Sequence, residues 1–264
     1  MPGSKKVLIT GVSGRIGQLI CEHLGARYAI TGIDRKAFDA VPTKVADIAD
    51  FDAIASAFEG IDVVVHLAAN PSPRASWESA LSNNIIGTRN VFEAARQAGV
   101  QRIVYASSHH AAGFFGLKEQ PWKSVYDGKA NELRSPWPRL GTELMRPDSY
   151  YGVSKLFGES LGSYFHDAFD MSVICLRIGW VMTPDDPTFS AAALSLWMSH
   201  RDTIQLFQKS IDAPPSVGFA VVNGESDNAL CIWDPEPGRR ILGYEPEDDG
   251  GEEWIEKPNS PPLM

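Results

Sequence analysis

A chain of 264 residues is long enough for one large domain, or a domain with an appendage, that buries roughly 70–75% of its unfolded surface. With 44% hydrophobic and 22% charged residues it has the composition of an ordinary globular protein, neither fibrous nor disordered. The net charge of −9 speaks against nucleic acid or a polybasic membrane surface as partner, because either needs a positive field.

The chain opens with MPGSKKVLIT, which runs straight into a strand with no signal-peptide core, and no apolar run reaches membrane-spanning length. Val7–Thr10 reads as a buried strand, residues 15–25 as a helix and Ala29–Ile33 as a second strand. Ile54–Phe58 reads as part of a helix, and Asp62–Leu67 (DVVVHL) as a third strand. Residues 83–98 place apolar side chains at Ile86, Phe92 (or Val91) and Ala95, a helical period that Gly99 closes. Arg102–Ala106 is the next predicted strand, 150–167 a helix and Met171–Ile178 a further strand. Continuous apolar strands separated by helices predict a parallel sheet covered on both faces, a doubly wound α/β fold.

Residues 111–148 break this rhythm. Rich in Pro, Trp, Gly and charge, they are expected to form a long excursion over the rim of the sheet. After Ile178 a loop leads into a helix, then a strand at Phe219–Val222 and an acidic, Pro-rich tail expected to be ordered to about Glu247. Cys21, Cys175 and Cys231 are odd in number, far apart and in apolar surroundings. They read as reduced core residues of a cytoplasmic protein rather than metal ligands or disulfides.

Directly after the first strand stands TGVSGRIG, with Gly11, Gly14 and Gly17. Glycines at this spacing allow a tight turn, close backbone approach to a pyrophosphate and close packing of the helix on the strand. The helix N-terminus then offers unpaired N–H groups and a positive dipole end to the phosphates. Asp34 in TGIDR closes the second strand, where a carboxylate accepts both ribose hydroxyls of NAD and repels a 2′-phosphate. Arg35 beside it leaves NADP open as the lesser alternative.

YYGVSK (150–155) sets a tyrosine four residues before a lysine, but this spacing arises by chance roughly 0.3 times in a chain of this composition. The ordered set carries more weight: TGVSGRIG (10–17), Asp34, Asp47-Ile48, HLAA (66–69), NNIIGT (83–88), VYASSHH (104–110), YGVSK (151–155) and RIG (177–179). From residue 5 to about 250 the chain resembles the extended short-chain dehydrogenase/reductases, a family that includes nucleotide-sugar epimerases and dehydratases. The resemblance implies a Rossmann NAD-binding domain over 1–178 and a small substrate-binding part with the tail over 179–264. It also implies that Tyr151 and Lys155 are the catalytic pair, with Ser108 positioning the substrate oxygen. Residues four apart share a helical face, so the lysine charge, with that of the oxidised nicotinamide, should lower the Tyr151 pKa. Asn84 resembles the family's helix asparagine, which supports the lysine and a proton relay; an N-cap is its plain alternative.

By the same resemblance the cofactor contacts Gly11, Ser13, Gly14, Arg15, Ile16, Gly17, Asp34, Arg35, Asp47, Ile48, Leu67, Ala68, Ala69, Asn84, Tyr151, Lys155 and Ile178. The substrate contacts Asn70, Ser107, Ser108, His109, His110, Tyr151 and Trp180. No metal is expected, because His109 and His110 lack a third ligand at sensible spacing.

Family membership does not fix the reaction. Only 85 residues follow RIG, too few for the larger C-terminal part with which epimerases and dehydratases hold a nucleoside diphosphate carrier. A small free sugar is therefore favoured, and the nearest resemblance is to the branch of uronate dehydrogenases and an archaeal NAD-dependent glucose-6-phosphate dehydrogenase, which oxidise the anomeric C1 hydroxyl to a lactone. ASSHHAAGFF, RPDSYYGVSKLFGESLG, WMSHRD and NGESDN carry it. The chain departs from that branch at His109, where the branch has Asn, and at Ala192, where it has an Arg that can anchor an anion. Residues 180–200 contain no Lys or Arg. Either the substrate is a neutral aldose, or an anionic sugar is held by Arg74, Arg134, Arg139 or Arg146; the expectation leans to the anionic sugar. An epimerase that keeps its NAD is the alternative reaction, and intact Ser108, Tyr151 and Lys155 argue against a non-catalytic NAD sensor. Val91, Leu156, Phe157 and Leu161, expected to be exposed on helices 83–98 and 150–166, suggest a homodimer.

Overall fold

The computed structural model describes residues 4–133 and 136–254. The N-terminal half runs β1 (Lys6–Thr10), α1 (Arg15–Leu24), β2 (Ala29–Asp34), β3 (Thr43–Val45), α2 (Phe51–Ala55), β4 (Val63–His66), α3 (Trp77–Ser79), α4 (Gly87–Gln97) and β5 (Arg102–Ser108). Then come α5 (Phe114–Lys118), α6 (Trp122–Tyr126), α7 (Tyr150–Phe169), β6 (Ser172–Ile178), α8 (Ala191–Leu196), α9 (His200–Asp212), β7 (Phe219–Gly224) and α10 (Glu236–Leu242). All seven strands form one parallel sheet in the order β3-β2-β1-β4-β5-β6-β7. The predicted doubly wound α/β architecture is therefore present, with the order reversing at β1 and β4, where such sheets open a crevice at their carboxyl ends.

Alternation along each strand divides the core between two faces. Val7, Ile9, Val63 and Val65 pack with Leu19, Ile20 and Leu24 of α1 and Leu206, Phe207 and Ile211 of α9. Leu8, Val64, Ile103 and Tyr105 pack with Ile54, Val91, Phe92 and Phe165 on the other side. β7 pairs with β6 from Val173↔Phe219 to Ile178↔Gly224, so a segment beyond residue 179 completes the sheet edge. The excursion holds α5 and α6 and shares a third apolar cluster with the C-terminal segment, in which Ala112, Val125 and Leu140 meet Leu230, Ile232 and Trp233.

The structure departs from the sequence reading at four places. β3 was not foreseen, because a three-residue strand carries almost no periodic signal. The predicted helix 83–98 is continuous only from Gly87; Ala80–Ile86 is a π-helix, whose wider turn changes the helical phase. Ile86 is accordingly 43% exposed, while Val91, expected at the surface, is fully buried. The acidic tail holds α10, a helix absent from the sequence reading, and is ordered through Glu247 as expected, with buried Asp202 accepting the backbone N–H of Glu247 (2.9 Å) and of Asp248 (3.1 Å). Among the described residues no helix is long and apolar enough to cross a membrane.

Candidate active site

The turn between β1 and α1 is shaped by close backbone approach. Gly11 adopts φ +75°, and a Cβ there would lie 2.8 Å from the Ala68 backbone nitrogen. A Cβ on Gly17 would lie 2.4 Å from the Val12 carbonyl oxygen. Gly14 precedes α1 in extended backbone without any side-chain cap, so the amides of the first turn remain open to an anion. At the end of β2, Asp34 accepts hydrogen bonds from the Ser13 backbone (3.0 Å) and hydroxyl (2.8 Å), which locks the turn against the acid. Asp47 accepts the Ala49 N–H at 2.9 Å, and buried Ile48 presents its carbonyl to Asn90 at 3.0 Å. Arg15 donates to the Val181 carbonyl at 2.6 Å, and exposed Arg35 reaches Asn83 at 3.4 Å.

These groups line one end of a cleft of about 800 Å3, together with Ile16, Leu67, Ala68, Ala69 and Ile178. Ser107, Ser108, His109, His110, Tyr151, Lys155 and Trp180 line the other. Of the predicted site residues, Asn70 and Asn84 alone do not line it. Buried Asn84 instead accepts the Asn70 N–H (2.7 Å) and donates to the Asn70 carbonyl (3.1 Å) and the Ser154 hydroxyl (3.0 Å). It ties the loop after β4 to α7, makes no bond to Lys155 and stands inside the π-helix rather than at a cap. The Asn70 amide is likewise engaged, donating to Ser79 at 2.8 Å.

Ser149 caps α7 by accepting the Gly152 N–H at 3.0 Å and so sets the first turn, which carries Tyr151 toward the end of β5. Tyr151 and Lys155 are buried, 8% and 3% exposed. The Lys155 ammonium lies 5.4 Å from the Tyr151 ring centre and donates to the Ala106 carbonyl at 2.6 Å. Burial pushes the Tyr151 phenol up to about 12, against the lowering effect of the Ser108 hydroxyl and with a smaller push from Asp148. Burial pulls Lys155 down to about 7, which Glu159 opposes. The lowering expected with the nicotinamide charge in place is not present in the protein alone, where burial raises Tyr151. Desolvation dominates, and a lysine near 7 is only partly charged at neutral pH.

Ser107 donates to Glu159 at 2.5 Å, and Glu159 forms a two-pronged buried pair with Arg177, both contacts at 2.9 Å. Its hydroxyl is therefore committed to the core although the residue lines the cleft. His110 lies edge-on to Tyr151 with ring centres 5.4 Å apart, and its Nδ1 is 2.8 Å from Asp148. His109 stacks on Trp233 at 4.2 Å, with Nε2 3.2 Å from the Glu225 carboxylate. Asp148, Glu159, Glu225 and Trp233 escaped the sequence reading. Asp148, Glu159 and Glu225 stand in the quoted stretches RPDSYYGVSKLFGESLG and NGESDN, but only folding brings them to their partners; Trp233 carried no signal.

Of the proposed anion anchors, exposed Arg139 reaches the Trp233 carbonyl at 3.4 Å and Arg146 pairs with Glu119. Neither they nor Arg74 line the cleft, and Arg134 lies outside the described residues. Among the described residues no group of three His, Cys, Asp or Glu side chains is placed to hold a metal ion.

Residues 7–201 match the family model described as the NAD dependent epimerase/dehydratase family. An NAD-dependent glucose-6-phosphate dehydrogenase of Haloferax volcanii is 38% identical over 255 residues, 93% of this chain and 94% of the relative. An L-arabinose 1-dehydrogenase (NAD(P)(+)) of the same organism is 34% identical, covering 92% of this chain and 97% of the relative. The crystal structure of uronate dehydrogenase from Agrobacterium tumefaciens superposes with a TM-score of 0.77 at 32% identity, over 93% of this chain and 85% of that one.

Proposed function

The chain belongs to the NAD dependent epimerase/dehydratase family, and from that premise we propose that it is an NAD-dependent sugar 1-dehydrogenase that oxidises the anomeric C1 hydroxyl of a free sugar to its lactone. The observation that carries this reading is the placing of Ser108, Tyr151 and Lys155 in one cleft with the glycine turn and Asp34. The residues fit a dinucleotide: an uncapped helix start beside a turn that admits no Cβ at Gly11, and an acid at the end of β2. Gly14, Arg15, Ile16 and Gly17 would face the pyrophosphate, Asp34 the ribose hydroxyls, with NAD favoured over NADP, and Asp47 and Ile48 the adenine.

The bound dinucleotide supplies the acceptor for the C1 hydride. Tyr151 removes the proton of the C1 hydroxyl, Ser108 holds that oxygen in line, and Lys155 stabilises the phenolate once it forms. With hydride and proton both removed, C1 becomes the lactone carbonyl. Residues 179–254, with the 111–148 excursion, form the sugar-binding part in this reading.

Tyr150, Val153, Phe157 and Tyr164 share one face of α7, and Tyr150, Val153 and Tyr164 are exposed, as is Ile86 nearby in sequence to α4. These residues, rather than Val91, support a homodimer, which sedimentation tests. A reducing, cytoplasmic setting is supported by Cys21, Cys175 and Cys231, all free.

The test is a screen of free pentoses, hexoses, uronates and hexose phosphates with NAD, followed by absorbance of the reduced cofactor. Turnover abolished by Tyr151→Phe is expected. No reduction with any sugar, or sugar isomerised without net reduction, would overturn the proposal.

A further inference from the structure

The two ends of the cleft differ in charge. Its described lining cations are Arg15, Arg35, Lys36 and Lys155. Arg15 opens α1, Arg35 and Lys36 follow Asp34, and Lys155 is committed to the Ala106 carbonyl. The substrate end is walled instead by His109, His110, Asp148, Trp180 and Trp233, with Glu225 buried against His109.

The polar atoms at this end are set to receive hydroxyl groups. A carboxylate only accepts, so Asp148 takes the hydrogen of His110 Nδ1. His109 is 4% exposed, yet neither of its ring nitrogens completes a hydrogen bond, nor does Glu225 Oε2 beside it. Burial holds the His109 pKa low, against the opposing pull of Glu225. His109 Nε2 and the Glu225 carboxylate instead face each other across 3.2 Å, which sets a buried carboxylate directly behind the ring that lines the cleft. A sugar hydroxyl both donates and accepts, and satisfies such a set without counter-charge. A carboxylate, phosphate or sulfonate only accepts, and would meet Asp148 in the wall and Glu225 behind His109, while Lys155, the described cation at this end, is committed to the Ala106 carbonyl.

We propose that the substrate is an uncharged aldose, and that His109 and His110, backed by Glu225 and Asp148, set this specificity. The inference rests on the sugar 1-dehydrogenase reading and names the class of sugar.

Matched pairs test it: D-glucose against D-glucuronate and glucose 6-phosphate, and D-galactose against D-galacturonate, each with NAD. The neutral member is expected to lead in kcat/KM by at least about tenfold. An anionic member in the lead overturns the inference and leaves the dehydrogenase reading intact, whereas no turnover of any sugar overturns both. Asp148→Asn and Glu225→Gln, each assayed with both members of a pair, are expected to narrow the neutral-to-anionic ratio, chiefly through KM. An unchanged ratio in both active variants would remove these carboxylates from the specificity set.

Discussion

Lys155 Nζ lies 5.4 Å from the centre of the Tyr151 ring, yet its hydrogen bond goes to the Ala106 carbonyl rather than to the phenol. In the protein alone burial dominates both groups, with Tyr151 raised to about 12 and Lys155 lowered to about 7. A phenol with that pKa is almost wholly protonated near neutrality, so the proposed role of Tyr151 calls for further positive charge from the cofactor. The tyrosinate absorbance of wild type minus Tyr151→Phe is expected to appear only at strongly alkaline pH without NAD, and at lower pH with it. An identical titration with and without NAD would contradict this.

The lysine also leaves a mark on stability. Its folded pKa of about 7 lies below the ordinary lysine value of about 10.4. Between those values the unfolded chain binds a proton that the folded chain does not, so this group makes stability rise with pH across that window. Below about 7 both states are charged and the cost of burying the charge is fully present. Lys155→Met should therefore gain most over wild type in urea midpoint at about pH 6, and the gain should shrink toward about pH 10. A gain that grows with pH would refute the shift.

Asp34 accepts both the backbone N–H and the hydroxyl of Ser13 while facing the cleft. Asp34→Ser removes the carboxylate that would repel a 2′-phosphate. The NADP-to-NAD ratio of kcat/KM is expected to rise by roughly tenfold or more. Parallel loss with both cofactors would mean that Asp34 only shapes the turn.

The Glu159–Arg177 pair is buried beneath the cleft and takes the Ser107 hydroxyl. Arg177→Met strands the carboxylate and should cost about 3–5 kcal/mol in urea unfolding. Adding Glu159→Gln should recover part of that loss. Equal losses in the single and double variants would show that the cost comes from shape rather than stranded charge.

The sequence by itself determined the alternation of strands and helices, and with it the parallel sheet, because buried β-branched runs and helical periods are local properties. It also placed the glycine turn, Asp34, Ser108 and the Tyr151–Lys155 spacing, all of which line the cleft. Tertiary structure alone decided what each group meets. It sent the Asn84 amide to Asn70 and Ser154, committed Ser107 to Glu159, set Asp148 behind His110, and brought Glu225 and Trp233 against His109. It also raised the Tyr151 pKa by burying the phenol. Hydrogen-bond partners and desolvation depend on which distant segments pack together, and the periodicity and spacing of a linear chain do not encode that.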